Sequence, residues 1–122
     1  MVYTYPVKTL LVVDDDESIR TLVRVALTKR DWVVLEAEDG LDGLARFMLH
    51  HPEVLLTDIS MPKSDGLEML TNLRQSGDLL GVRVVIMSGV LSFAKIRETK
   101  VKADALLSKP FTIQELYGAV GA

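Results

Sequence analysis

The chain has 122 residues, 48% of them hydrophobic and 25% charged, with no cysteine and a formal net charge of -3. That size suits one domain with one core, and the apolar content excludes a disordered chain. The acidic balance argues against autonomous nucleic-acid binding, the missing thiols exclude disulfides and thiolate metal sites, and no apolar run approaches the roughly 18 residues of a membrane span.

Residues 1–7 read as an N-terminal extension, and 8–122 as the domain. Met1 to Pro6 lacks the charged-then-apolar layout of a signal peptide, and the lack of cysteine fits a reducing cytoplasm, the expected location. A first strand is predicted over 8–13, ending in Asp14-Asp15-Asp16. A helix follows, with Ile19, Leu22, Val23, Ala26 and Leu27 on one stripe. Asp16 and Ser18 suit its N-terminal cap. The second strand, 32–37, has Trp32 packing at its start. The second helix repeats the apolar spacing through Leu41, Leu44, Ala45, Met48 and Leu49, and closes on the surface with His50 and His51. The third strand, 53–58, ends in Asp58, and Leu67, Leu70 and Leu73 mark the third helix. A fourth strand, 82–88, ends in Ser88-Gly89. The helix expected over 92–101 has the weakest pattern, with Phe93, Ile96 and Val101. A fifth strand, 104–108, leads to Lys109, and a last helix from Thr112 carries Ile113, Leu116, Tyr117 and Val120.

Strands rich in Val and Leu with little alternation suit a sheet covered on both faces. Their strict alternation with helices implies an α/β fold with a parallel sheet, right-handed crossovers and helices on both sides. In such sheets ligands sit beyond the carboxyl ends of the strands. Asp14 to Asp16, Asp58, Ser88 and Lys109 all fall at such ends.

Acids gathered there repel one another: two like charges about 4 Å apart cost roughly 4 kcal/mol at an effective dielectric near 20. A protonated acid, a basic neighbour or a bound cation relieves this. All-oxygen donors suit a hard cation such as Mg²⁺, which keeps waters and takes ligands from phosphate. Lys109 supplies a point charge, Ser88 a hydroxyl, and Gly89 leaves room beside it. A carboxylate in that setting can attack phosphorus. Singly, each residue has a plainer reading as a cap, a turn residue or a solvated charge; their joint placement at successive strand ends favours a site.

Four segments, in this order, carry a resemblance: Leu10-Leu11-Val12-Val13-Asp14-Asp15-Asp16; Leu55-Leu56-Thr57-Asp58-Ile59-Ser60-Met61-Pro62 with Asp65-Gly66; Val85-Ile86-Met87-Ser88-Gly89; and Leu107-Ser108-Lys109-Pro110-Phe111. With them the chain resembles response-regulator receiver domains, the CheY-like phosphoacceptors of two-component signalling, over residues 8 to about 120. The resemblance implies a flavodoxin-like (βα)5 doubly wound fold with five parallel strands in the order 2-1-3-4-5. It implies that Asp58 accepts a phosphoryl group from a phosphohistidine on a sensor histidine kinase or histidine phosphotransfer protein. Asp15 then corresponds to the direct Mg²⁺ ligand with Asp58, Asp14 to the acid acting through metal-bound water, and the Ser60 backbone carbonyl to a third protein ligand; Mn²⁺ is an acceptable substitute. Ser88 corresponds to the switch hydroxyl and Lys109 to the lysine that pairs with phosphoryl oxygens. The Lys109-Pro110 bond resembles one often cis in this family. Such a protein is a phosphoacceptor switch and not an enzyme beyond self-phosphorylation and slow autodephosphorylation. Its output lies in an unidentified effector domain or partner, with no direct contact to nucleic acid or membrane.

Three departures stand out. Leu106 occupies the switch position that the family usually fills with Tyr or Phe, so an altered or smaller response is expected on the strand-five face. Lys102 stands where glycine is frequent, and the last helix is short, ending in Gly121-Ala122, so that it either frays early or the sequence belongs to a longer protein. Alternative readings are a degenerate receiver used only for protein docking, and a haloacid-dehalogenase-like phosphatase, whose paired acids Asp14 and Asp16 match in spacing. Such a phosphatase needs a further acidic motif after the lysine, where only Glu115 is found. A flavodoxin-like cofactor carrier is disfavoured because Asp14-Asp15-Asp16-Glu17 repels phosphate unless a cation intervenes.

Overall fold

The apolar runs form strands and the striped segments form helices in a computed structural model that describes residues 7–59, 66–89 and 102–122. The strands are β1 (Thr9–Val13), β2 (Val33–Ala37), β3 (Val54–Asp58), β4 (Arg83–Ser88) and β5 (Ala105–Ser108). The helices among the described residues are α1 (Glu17–Thr28), α2 (Gly40–His50), α3 (Gly66–Gln75) and α4 (Ile113–Val120). Each strand lies within a residue of its predicted bounds. The helix expected over 92–101, with Phe93, Ile96 and Val101, lies outside the described residues, as do Ser60, Met61, Pro62, Asp65 and the segment Met1 to Pro6.

Helix starts are fixed by side-chain acceptors. Asp16 caps α1 by accepting the Ser18 N–H at 2.9 Å, and Asp39 caps α2 by accepting from Asp42 at 2.8 Å. Thr112 and Glu115 form a reciprocal capping box on α4. Gly121 takes a left-handed φ of 83° and donates to the Tyr117 carbonyl, so α4 closes on a regular C-cap.

The five strands form one parallel sheet in the order β2-β1-β3-β4-β5. Alternate residues point to opposite faces. Leu10, Val12, Leu56, Val85, Met87 and Leu107 form one face, covered by Val23 and Leu27 of α1 and Leu116 and Val120 of α4. The Tyr117 hydroxyl donates to the Ala26 carbonyl at 2.7 Å and ties those two helices together. Leu11, Val13, Leu55, Val84 and Ile86 form the other face, under Phe47 of α2 and Met69, Leu70 and Leu73 of α3. Residues of the three central strands are buried almost throughout, while the edge strands β2 and β5 are only partly covered.

Of the predicted apolar stripe of α2, only Leu44 meets the core. Leu41 is 69% exposed and Leu49 75%, and Met48 also faces solvent. The buried face is Gly40, Gly43 and Phe47, with Leu44 half-buried. The reason is close approach: a Cβ at Gly43 would stand 2.7 Å from the Met69 sulfur and 3.0 Å from a Val13 methyl. The helix lies so near the sheet and α3 that glycine is what fits, and Phe47 fills the remainder. Ile113 likewise faces solvent, unlike its companions Leu116, Tyr117 and Val120. Trp32 packs before β2 as expected, under the Lys8 ammonium at 5.4 Å from its ring.

Candidate functional site

Strand register assembles the site. Val12 pairs with Leu56, so Asp14 and Asp58, each two residues further on, continue the same face of neighbouring strands. Met87 pairs with Leu107, so Lys109 continues that face on β5. The side chains converge: the Lys109 Nζ donates to Asp14 Oδ2 at 2.6 Å and to Asp58 Oδ2 at 2.7 Å. Asp14 is fully buried and Asp58 nearly so.

The basic-neighbour solution to carboxylate repulsion is therefore present. Among the described residues, one ammonium faces two buried carboxylates and the exposed Asp15 beside them. Burial pushes the Asp14 carboxyl above its ordinary value, and the hydrogen bonds from Lys109 and the Asp16 N–H only partly oppose this. Burial alone would lower the Lys109 pKa, but hydrogen bonds and charge from Asp14 and Asp58 outweigh it and raise it. Carboxylate oxygens of Asp14, Asp15 and Asp58 lie within 4.8 Å of one another, an all-oxygen donor set that can hold a hard divalent cation. Asp16, by contrast, is spent on the α1 cap, and its hydrogen bonds from Ser18 hold its carboxyl below the usual range. The acid pair Asp14 and Asp16 does not converge on one centre.

Ser88 ends β4, buried, and its carbonyl accepts the Lys109 N–H at 2.8 Å, which joins the two segments at the backbone. A Cβ at Gly89 would meet nothing within 4 Å among the described residues. The Lys109-Pro110 bond is cis. Leu106 points to the other face and is 53% exposed. The Lys102 carbonyl accepts from Arg74 at 2.8 Å, which anchors the turn before β5 to the end of α3. Ser60 lies outside the described residues.

Three residues support the site in ways the sequence reading does not assign. The Thr57 hydroxyl, wholly buried, donates to the Asp58 carbonyl at 2.7 Å. Gly66 packs so closely on that carbonyl that a Cβ would stand 2.0 Å from its oxygen. Arg20 donates through Nη1 to the Asp14 carbonyl at 2.8 Å. Thr57 and Gly66 stand in the matching segment Leu55 to Pro62 with Asp65-Gly66, which gives them no role of their own. The available signal for Arg20 was a cation one turn into the helix that follows the acids, which a search for apolar periodicity passes over.

A family model describing the response regulator receiver domain matches residues 10–121. The response regulators MprA of Mycobacterium ulcerans and Mycobacterium avium are each 34% identical over 113 residues, 93% of this chain. The match takes in 48% and 49% of those proteins, so the chain spans about half the length of the curated relatives it matches. Among solved structures, the chemotaxis response regulator CheY4 of Vibrio cholerae superimposes with a TM-score of 0.86 at 28% identity, covering 95% of this chain and 98% of that one. The receiver domain of AraT, a response regulator from Geobacillus stearothermophilus, gives 0.83 at 31% identity over 95% and 92%. With β1, β3, β4 and β5 delivering acids, hydroxyl and lysine to one end of a 2-1-3-4-5 sheet, the chain belongs to the receiver domains of two-component response regulators.

Proposed function

We propose that Asp58 is the phosphoacceptor, taking a phosphoryl group from a phosphohistidine of a sensor histidine kinase or histidine phosphotransfer protein. The observation that carries this reading is the Lys109 ammonium bridging Asp14 and Asp58 at 2.6 and 2.7 Å. A cation fixed between those acids stands where phosphoryl oxygens would arrive. An Asp58 carboxylate oxygen attacks phosphorus; the P–O bond forms as the P–N bond breaks, and the imidazole leaves and takes up a proton. Asp14, Asp15 and Asp58 would hold Mg²⁺, or Mn²⁺ in its place, with the Ser60 carbonyl as a further ligand. The bound ion supplies charge neutralisation between carboxylate and phosphoryl oxygens. Lys109 can exchange an Asp58 oxygen for a phosphoryl oxygen with little movement of its backbone, which the Ser88 carbonyl anchors.

The Ser88 hydroxyl then turns onto the new acyl phosphate and draws the following segment with it. Moving such a two-state element from about 1:99 to 99:1 takes about 5.5 kcal/mol of differential contact. Leu106 has no phenolic hydroxyl, so its part in the response is steric alone. The output passes to an effector domain or partner. Incubation with a small acyl phosphate donor and Mg²⁺ tests the reading: wild type gains one phosphoryl group by intact mass and Asp58→Asn gains none. Full incorporation into Asp58→Asn would overturn it.

A further inference from the structure

Asp14 is held from several sides. Its carbonyl accepts from Arg20 Nη1 at 2.8 Å, and the Asp14 N–H donates to the Ala37 carbonyl of β2 at 3.1 Å. Asp14 Oδ1 accepts the Asp16 N–H at 2.9 Å. Arg20 is itself held: its Nε pairs with Glu36 at 3.4 Å, and Glu36 also takes Arg24 at 3.2 Å. The Arg20 side chain is only 16% exposed, beside a polar cleft of about 270 Å³ that Glu36, Glu38, Asp42 and Arg46 also line. Glu36 pairs in register with Val12, two residues before Asp14, so the edge strand supplies the fixed end of the clasp.

A peptide unit is planar, so fixing the Asp14 carbonyl fixes the plane that joins the Asp14 and Asp15 α-carbons. With the preceding peptide held through the Asp14 N–H on Ala37 and the following one through the Asp16 N–H on Asp14 Oδ1, the planes on both sides of Asp14 and of Asp15 are held, and the direction in which each side chain leaves the backbone follows. We infer that Arg20, braced by Glu36, is a positioning residue that pre-orients Asp14 and Asp15 for a divalent cation. The inference rests on those acids holding such an ion.

Charge and positioning predict opposite signs. Arg20 is a cation near a cation site, so simple repulsion has its removal tighten Mg²⁺ binding. Positioning has its removal weaken binding, as happens when a group that orients a metal ligand is lost, by about tenfold. Calorimetric titration of Mg²⁺ into wild type, Asp15→Asn, Arg20→Lys and Arg20→Met separates them. The lysine keeps the charge and loses the planar fork that reaches both Glu36 and the carbonyl. Both Arg20 variants are expected to bind about tenfold more weakly, with metal-free amide resonances of Asp15 and Asp16 displaced and those of α4 unmoved. Arg20→Met binding as tightly as wild type or more so, or Arg20→Lys binding unchanged, overturns the inference. Asp15→Asn binding like wild type would instead sink the metal site itself. Should Arg20→Met not fold, Arg20→Lys decides on the same criterion.

Discussion

Replacing Lys109 by methionine keeps the length of the side chain and removes the ammonium from between two carboxylates. Breaking a buried ion pair by deleting one partner costs about 3–5 kcal/mol, because the surviving charge is left uncompensated. The Lys109 side chain is 23% exposed, so water screens part of this, and the lower figure of about 3 kcal/mol is expected for Lys109→Met in metal-free buffer. Urea unfolding at neutral pH measures it, and saturating Mg²⁺ should shrink the loss. The sign with pH follows from the raised Lys109 value. The folded state holds this proton more tightly than the unfolded chain, whose value is 10.5. The stabilisation is therefore full below that pH and disappears as pH rises through the folded value. Lys109→Met should lack that alkaline decline.

At the level of elements, two helices meet their neighbours through glycine, with different consequences. A Cβ at Gly43 meets a flexible methionine sulfur and a valine methyl, which can yield; one at Gly66 meets the backbone oxygen of Asp58 at 2.0 Å, which cannot. Gly43→Ala is expected to cost about 1 kcal/mol and Gly66→Ala about 3 kcal/mol, the two ends of the range for overpacking, and Gly66→Ala should also slow phosphoryl uptake by displacing Asp58. Chemical denaturation and the rate of mass gain check the pair. Apolar periodicity located α1, α3 and α4 because large side chains fill their buried faces. It misplaced the face of α2 because the glycines that flank Phe47 there have no apolar signature, while Leu41 and Leu49 supply a false one. Of the site, Asp14, Asp15, Asp58, Ser88 and Lys109 were legible because strand ends fix where they lie. Arg20, Glu36 and Thr57 were not, because they act through backbone carbonyls or through one another, and such contacts exist only once strand and helix are assembled.

In the whole molecule, with Asp14, Asp15 and Asp58 holding a divalent ion as proposed, stability is expected to depend on cation concentration. The Asp14 carboxyl is raised from an unfolded value of 3.8, so the folded state binds more protons in the window just above that pH, and this group's contribution to stability falls as pH rises through it. A divalent ion competes with that proton. The stability difference between Mg²⁺-saturated and metal-free protein is expected to widen from pH 3.8 upward. It should reach about 2.7 kcal/mol at neutral pH with the ion at a hundred times its Kd, and vanish in Asp15→Asn. Paired thermal melts with Mg²⁺ and with a chelator across this range read it directly.

The chain's one indole belongs to the opposite pole. Trp32 stands level with Lys8 at the entry to the sheet, and Asp14 lies six residues further along β1, or about 20 Å of extended backbone. Trp32 emission is consequently expected to report whether the sheet is intact and to stay unchanged when an ion or phosphoryl group arrives at the far rim. An optical sensor of switching has to be installed near Ser88 or Leu106, where the chain offers no natural fluorophore among the described residues.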